Sequence, residues 1–184
     1  MRSQLPATDI GLAHHKFLEH VVIEKALGAG SLQGEAQRLE RERVLSPEET
    51  AALDFHALAA FWETEIGRKI RAAAPQVRRE LAFTARFSSQ ELVAITGEEH
   101  DPGLGGEFVV VQGVADLVVL LPREIWLVDF KTDEVEPGEL AAKARHYEPQ
   151  LKLYAQALSR IYERPVTECW LQFLARQRMI RVNV

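Results

Sequence analysis

The stretch "GVADLVVLLPREIWLVDFKTD", residues 113–133, decides the fold. Two apolar, β-branched runs flank Pro122-Arg123, a tight connection, and so read as the arms of a hairpin. Residues paired across a hairpin centred there sum to about 245, which sets Asp116 opposite or nearly opposite Asp129. Asp129 and Lys131 share one face of their strand, because side chains alternate with a period of two. Like charges directly across a sheet destabilise it, and an unpaired charge in an apolar strand is costly. A divalent cation resolves both problems: two carboxylates, water and a phosphate are how Mg²⁺ is usually held. Taken alone, Asp129-Phe130-Lys131 also reads as a surface ion pair at a strand end, worth ~0–1 kcal/mol. Asp116 placed opposite turns the reading towards a site.

Upstream of the hairpin the periodicity is helical. Residues 9–27 predict a helix with Asp9 as N-cap, ended by Gly28 and Gly30. A short helix is expected at 34–45. Ser46-Pro47-Glu48-Glu49 is a strong helix start, and that helix is expected to run to about Ala73 before Pro75. From residue 78 the pattern turns strand-like, in RRELAFTARF and in ELVAITG, with a turn-rich loop EEHDPGLGGE at 98–107. After the hairpin come two helical segments, near 138–147 and 149–162, the second opening on Pro149. TECWLQFLA and RMIRVNV are the closing strand candidates. The expected class is α/β (or α+β), a mixed central sheet flanked by helices with an N-terminal helical segment.

The 184 residues are enough for one domain with its own core, and 47% hydrophobic with 27% charged residues is an ordinary globular balance. The single cysteine, Cys169, excludes an intrachain disulfide and a self-contained four-cysteine zinc or iron–sulfur site. No signal-peptide-like run opens the sequence and no stretch of ~18 apolar residues occurs, so a cytoplasmic protein with no membrane partner is expected. No GxxxxGK[ST] motif is present, which excludes a nucleotide-hydrolysing motor in these residues. The charge is unevenly spread. Residues 87–140 carry 2 basic and 12 acidic side chains, and residues 141–184 carry 8 basic and 3 acidic. An acidic middle beside a basic end fits a cation site next to a polyanion-binding surface, and solvated faces alone would also produce it.

Four motifs in order resemble the PD-(D/E)xK nuclease superfamily. They are Gly11-Leu12-Ala13-His14-His15, Gly113-Val114-Ala115-Asp116, Asp129-Phe130-Lys131-Thr132 and Gln150-Leu151-Lys152-Leu153-Tyr154. Within the superfamily they are most similar to the RecB-type nuclease domains of bacterial break-processing helicase-nucleases, the AddA-like group. Leu12 stands where that group usually has threonine. The resemblance covers roughly residues 10–184. It implies a restriction-endonuclease-like fold over 1–184, with a mostly helical part at 1–75 and a nuclease core at 76–184.

The resemblance also implies roles. Asp116 and Asp129 become carboxylate metal ligands, the Phe130 carbonyl a backbone ligand and Lys131 the catalytic lysine. The family histidine falls on His15. The helical wheel sets His14 near the centre of the apolar stripe and His15 nearer its edge, so either could be a core histidine. Glu80, in RRELAF, resembles a strand glutamate of these domains and is an additional candidate ligand. Gln150 and Tyr154, one helical turn apart on one face, belong in this reading beside the metal or a DNA phosphate. Arg78, Arg79, Lys143, Arg145 and Lys152 are candidates to hold the strand. The expected activity is Mg²⁺-dependent (exo)deoxyribonuclease, with Mn²⁺ as a substitute, no iron–sulfur cluster, and DNA and a helicase subunit or fused helicase domain as partners. The alternative is a catalytically inactive nuclease-fold module that binds DNA or a protein.

Overall fold

The computed structural model describes residues 5–97, 108–136 and 138–184, so the expected loop at 98–107 lies outside the described residues. The N-terminal helical part comprises α1 (Ala7–His20), α2 (Ala29–Arg41), α3 (Pro47–Ala52), α4 (Phe55–Glu63) and α5 (Glu65–Ala72). The first helix stops at His20, and a short 3₁₀ turn at Ile23–Lys25 follows. Asp9 lies in the first turn of α1, and Pro6 occupies the N-cap position. The second helix begins at Ala29, five residues before the expected start.

The long helix expected from Pro47 is three helices, because two side chains inside it cap new starts. Asp54 accepts from the His56 and Ala57 N–H groups, and Thr64 accepts from Gly67. Each restarts the helix in a new direction. Ser46 and Glu49 form a reciprocal capping box at the first start, where the sequence predicts that a helix opens.

The sheet strands are β1 (Val77–Ser88), β2 (Phe108–Leu120), β3 (Ile125–Lys131), β4 (Val166–Phe173) and β5 (Arg178–Arg181), in spatial order β1-β2-β3-β4-β5. The first three form an antiparallel meander, β4 lies parallel to β3, and β5 returns antiparallel. Observed pairs of β2 and β3 include Leu117 with Val128 and Leu120 with Ile125, which is the register read from the sequence. ELVAITG is not a strand. It is α6 (Ser89–Thr96), opened by a Ser88–Glu91 capping box and closed by Gly97 in the left-handed region. The local cap wins over the strand-like composition. The helical segments expected around Pro149 are one helix, α7 (Leu140–Tyr162), with Pro149 inside it. Proline removes the donor to the Arg145 carbonyl, but Arg145 is exposed, where water can replace it.

Two apolar layers cover the sheet. Phe17, Leu32, Leu58, Phe61, Trp62 and Ile70 of the N-terminal helices pack on Leu117, Val119, Val128 and Phe130. On the other face, Leu151, Ala155 and Leu158 of α7 pack on Ala115, Val118, Leu127 and Leu171. Burial on this scale, at roughly 25 cal/mol per Å² of apolar surface, is the main force holding the helices to the sheet.

The layers reveal a slip in β1 and β2. Val77 and Arg79 face the N-terminal helices, whereas Leu81 and Phe83 face α7. On β2, Gly113 and Ala115 face α7, whereas Leu117 and Val119 face the N-terminal helices. All these positions are odd, so the alternation skips once in each strand. It skips at Glu80, whose φ is +46°, and at Asp116, between the ladder pairs Arg79–Leu117 and Leu81–Ala115. The two acidic side chains therefore stand where the sheet changes faces.

Candidate metal centre

The site lies at the end of β3, where α1 crosses from one side of the sheet and α7 from the other. Gly11 lets α1 come close: a methyl there would sit 2.6 Å from the Thr132 hydroxyl oxygen. One turn on, the two histidines part. His14 is buried, its Nδ1 2.8 Å from the Ile10 carbonyl, while its Nε2 accepts from the Asp54 N–H at 3.0 Å. Only the neutral Nδ1–H tautomer makes both bonds, and burial holds its pKa below the usual histidine value. His14 is thus a packed core histidine that fixes the start of α4.

His15 points instead at the acidic residues of the slip. Its Nδ1 is 3.6 Å from Asp116 Oδ1 and 3.8 Å from Glu80 Oε1. His15, Glu80 and Asp116 each bring one donor atom within 4.8 Å of the other two. Ligands ~2.1 Å from one octahedral ion lie about 3.0 Å apart when adjacent and about 4.2 Å when opposite. Both His15 separations fall between these values and exceed a hydrogen bond, so the three side chains suit a small divalent cation.

Electrostatics point the same way. Burial, then the neighbouring Asp129, push the Asp116 carboxyl up to about 7. Asp129, only 3% exposed, is likewise raised by burial, against the pull of Lys131. His15 is raised, chiefly by its contact with Glu80. Proximity of buried carboxylates raises the cost of ionising them, and a bound cation removes that cost.

Asp129 is not among the three mutually close donors. Its Oδ2 lies 2.8 Å from the Lys131 Nζ, at ion-pair distance but without the alignment of a directional hydrogen bond. The second Asp116 oxygen, Oδ2, accepts from the Phe130 N–H at 2.7 Å. An extended residue points its N–H and C=O to the same edge, so the Phe130 carbonyl is turned towards Asp116 as well.

From the α7 side, Gln150 Oε1 lies 3.4 Å from the Lys131 Nζ, and its amide donates to the Tyr154 hydroxyl at 3.1 Å. Tyr154 stacks edge-on against Phe83, with ring centroids 4.9 Å apart, over Gly113. Sequence reasoning missed Tyr147, whose ring face lies 4.1 Å from the Lys131 Nζ and whose hydroxyl donates to Asp133 at 2.6 Å. Its spacing of three from Gln150 on one helix is the signal that could have found it.

The expected strand-holding cations divide. Arg79 is half-buried and donates to the Leu18 and Val21 carbonyls, so it ties down the end of α1. Arg78 donates to the Pro75 and Val77 carbonyls, and Lys152 pairs with Glu148 at 2.7 Å. Arg145 is exposed, and Lys143 stands 3.9 Å from Asp133. Among the described residues no helix is long and apolar enough to cross a membrane.

Comparison with known proteins places the chain in a family. The chain is 34% identical over 175 residues to an ATP-dependent helicase/nuclease subunit of Moorella thermoacetica, covering 92% of this chain and 12% of that protein. It is 35% identical over 164 residues to the protein of the same name from Desulforudis audaxviator, covering 88% and 13%. The Carboxydothermus hydrogenoformans protein of that name is 32% identical over 174 residues, covering 94% and 14%. The chain thus spans only 12–14% of the length of these relatives. The model of the PD-(D/E)XK nuclease superfamily matches residues 1–183, and the chain belongs to that superfamily.

Proposed function

We propose that this chain is a divalent-metal-dependent deoxyribonuclease, the nuclease part of a break-processing helicase-nuclease or a stand-alone relative working beside a helicase in the cytoplasm. One observation carries the reading: His15, Glu80 and Asp116 converge on a single point next to an Asp129–Lys131 pair. Superfamily membership supports phosphodiester hydrolysis as the reaction. The names of the relatives support DNA as substrate and a helicase as partner.

In this mechanism His15, Glu80 and Asp116 would hold Mg²⁺ or Mn²⁺, and Asp129 and the Phe130 carbonyl would be further ligands. A cation held there supplies Lewis-acid stabilisation of the phosphate and a more acidic bound water. Asp116 would be held in its ionised form with a cation bound. Lys131, fixed by Asp129 and Gln150, directs an N–H at the attacking water or a non-bridging phosphate oxygen. Tyr154 keeps Gln150 in place. Arg145 and Lys143 attract the strand, so binding weakens with salt.

The test is digestion of end-labelled single- and double-stranded DNA with Mg²⁺, Mn²⁺ or EDTA. The wild type should cut with either metal and not with EDTA, and product lengths distinguish exonuclease from endonuclease action. Asp116→Asn should abolish cleavage, and Lys131→Ala should lower it by about 10²–10³. DNA binding without cleavage would make the chain an inactive nuclease-fold module.

A further inference from the structure

We propose that Tyr147 is the positioning residue that aims the Lys131 amine during cleavage, an inference that rests on the nuclease function proposed above. The four motifs leave this tyrosine out, yet its ring lies 4.1 Å from the lysine amine.

The Lys131 ammonium has three N–H donors and sits at the end of a flexible four-carbon stem. Asp129 stands 2.8 Å away as its ion-pair partner and Gln150 accepts at 3.4 Å. A donor must stay free for water or phosphate. A further hydrogen-bonding side chain would use that donor up. The face of an aromatic ring does not: it attracts the cation through its quadrupole and blocks movement to one side. The Tyr147 ring provides that face at 4.1 Å.

The ring is itself held. Its hydroxyl donates to Asp133 Oδ2 at 2.6 Å, and the Phe173 ring lies 6.4 Å behind it. Asp133 follows Lys131 by two residues, so the chain that carries the lysine also anchors the ring. Burial and the Asp133 carboxylate push the Tyr147 hydroxyl well above its usual pKa, which keeps it a donor. Lys143 stands 5.6 Å from the same ring, too far to replace Lys131 on its face.

The experiment compares Tyr147→Phe and Tyr147→Leu in the full chain with Mg²⁺, by steady-state DNA cleavage and by NMR of the lysine ε-methylene signals. An amine over a ring face has its ε-methylene protons shifted upfield, and loss of one signal in Lys131→Arg assigns it. Tyr147→Leu should move that signal to the ordinary lysine position and lower kcat about tenfold with KM nearly constant. Tyr147→Phe keeps the face, so it should hold the upfield shift and recover most of kcat. An unchanged shift and kcat in Tyr147→Leu would overturn the proposal. So would equal losses in both variants, which would point to the hydroxyl. A wild type that cuts no DNA would overturn the nuclease function and with it a role in cleavage, while the shift would still show whether the ring holds the amine.

Discussion

Two adjacent histidines do different work because their partners differ. His14 is saturated by a carbonyl and an N–H, whereas His15 faces two carboxylates. His14→Ala should therefore destabilise the protein by about 2–4 kcal/mol, from a lost packed side chain and an orphaned Asp54 N–H, and leave the metal response intact. His15→Ala should leave the metal-free melting temperature close to wild type and reduce the rise on adding Mn²⁺; thermal melts of both variants, with and without Mn²⁺, check the pair. The acid at the slip makes a pH prediction. Asp116 has its carboxyl raised from 3.8 to about 7 by folding, so between these values the folded state holds a proton that the unfolded state has lost. Stability then falls as pH rises. In denaturant titrations without metal, the stability of the wild type minus that of Asp116→Asn should decline from about pH 4 to about pH 7 and level off above it. A difference that is flat or rises with pH would mean that Asp116 is not strained by its neighbours.

At the scale of the element, the meander was legible because hairpin register follows from chain geometry alone. Leu117 meets Val128 as the position of Pro122-Arg123 requires. The slip at Glu80 and Asp116 was not legible. It arises from a left-handed residue within β1 that no glycine marks, and its result is visible only when both layers are present. The helix breaks were written in the sequence as Asp54, Thr64 and the Ser88–Glu91 box, but hydrophobic periodicity outweighed them. Proline was overweighted in turn, since Pro149 lies within α7. A left-handed non-glycine residue costs about 1–2 kcal/mol. Glu80→Gly should thus be more stable than Glu80→Ala by about 1 kcal/mol, the reverse of the usual order in a strand. Both should lose part of the metal response. Equal stabilities in chemical denaturation would mean that the φ of Glu80 stores no strain. Gly113 carries a different constraint: a methyl there would come within 2.6 Å of the Phe83 ring and 3.0 Å of Tyr154. Gly113→Ala should cost about 1–3 kcal/mol and disturb the Tyr154–Gln150 contact.

For the whole molecule, the N-terminal helices bring His15 to the sheet, the slip brings Glu80 and Asp116, and α7 brings Gln150 and Tyr147 to Lys131. No one segment contains the site, so metal binding should report on the complete fold. A cation at a hundredfold excess over its dissociation constant stabilises the folded state by ~2.7 kcal/mol. For a chain of this length that raises the melting temperature by several degrees, at roughly 2–4 °C per kcal/mol. The sharpest test of the central claim is crystallographic: Mn²⁺ soaked into crystals of the wild type and located by its anomalous scattering. The geometry predicts a peak bonded to His15, Glu80 and Asp116 and within reach of Asp129 and the Phe130 carbonyl. A peak elsewhere, or none at saturating Mn²⁺, would contradict it.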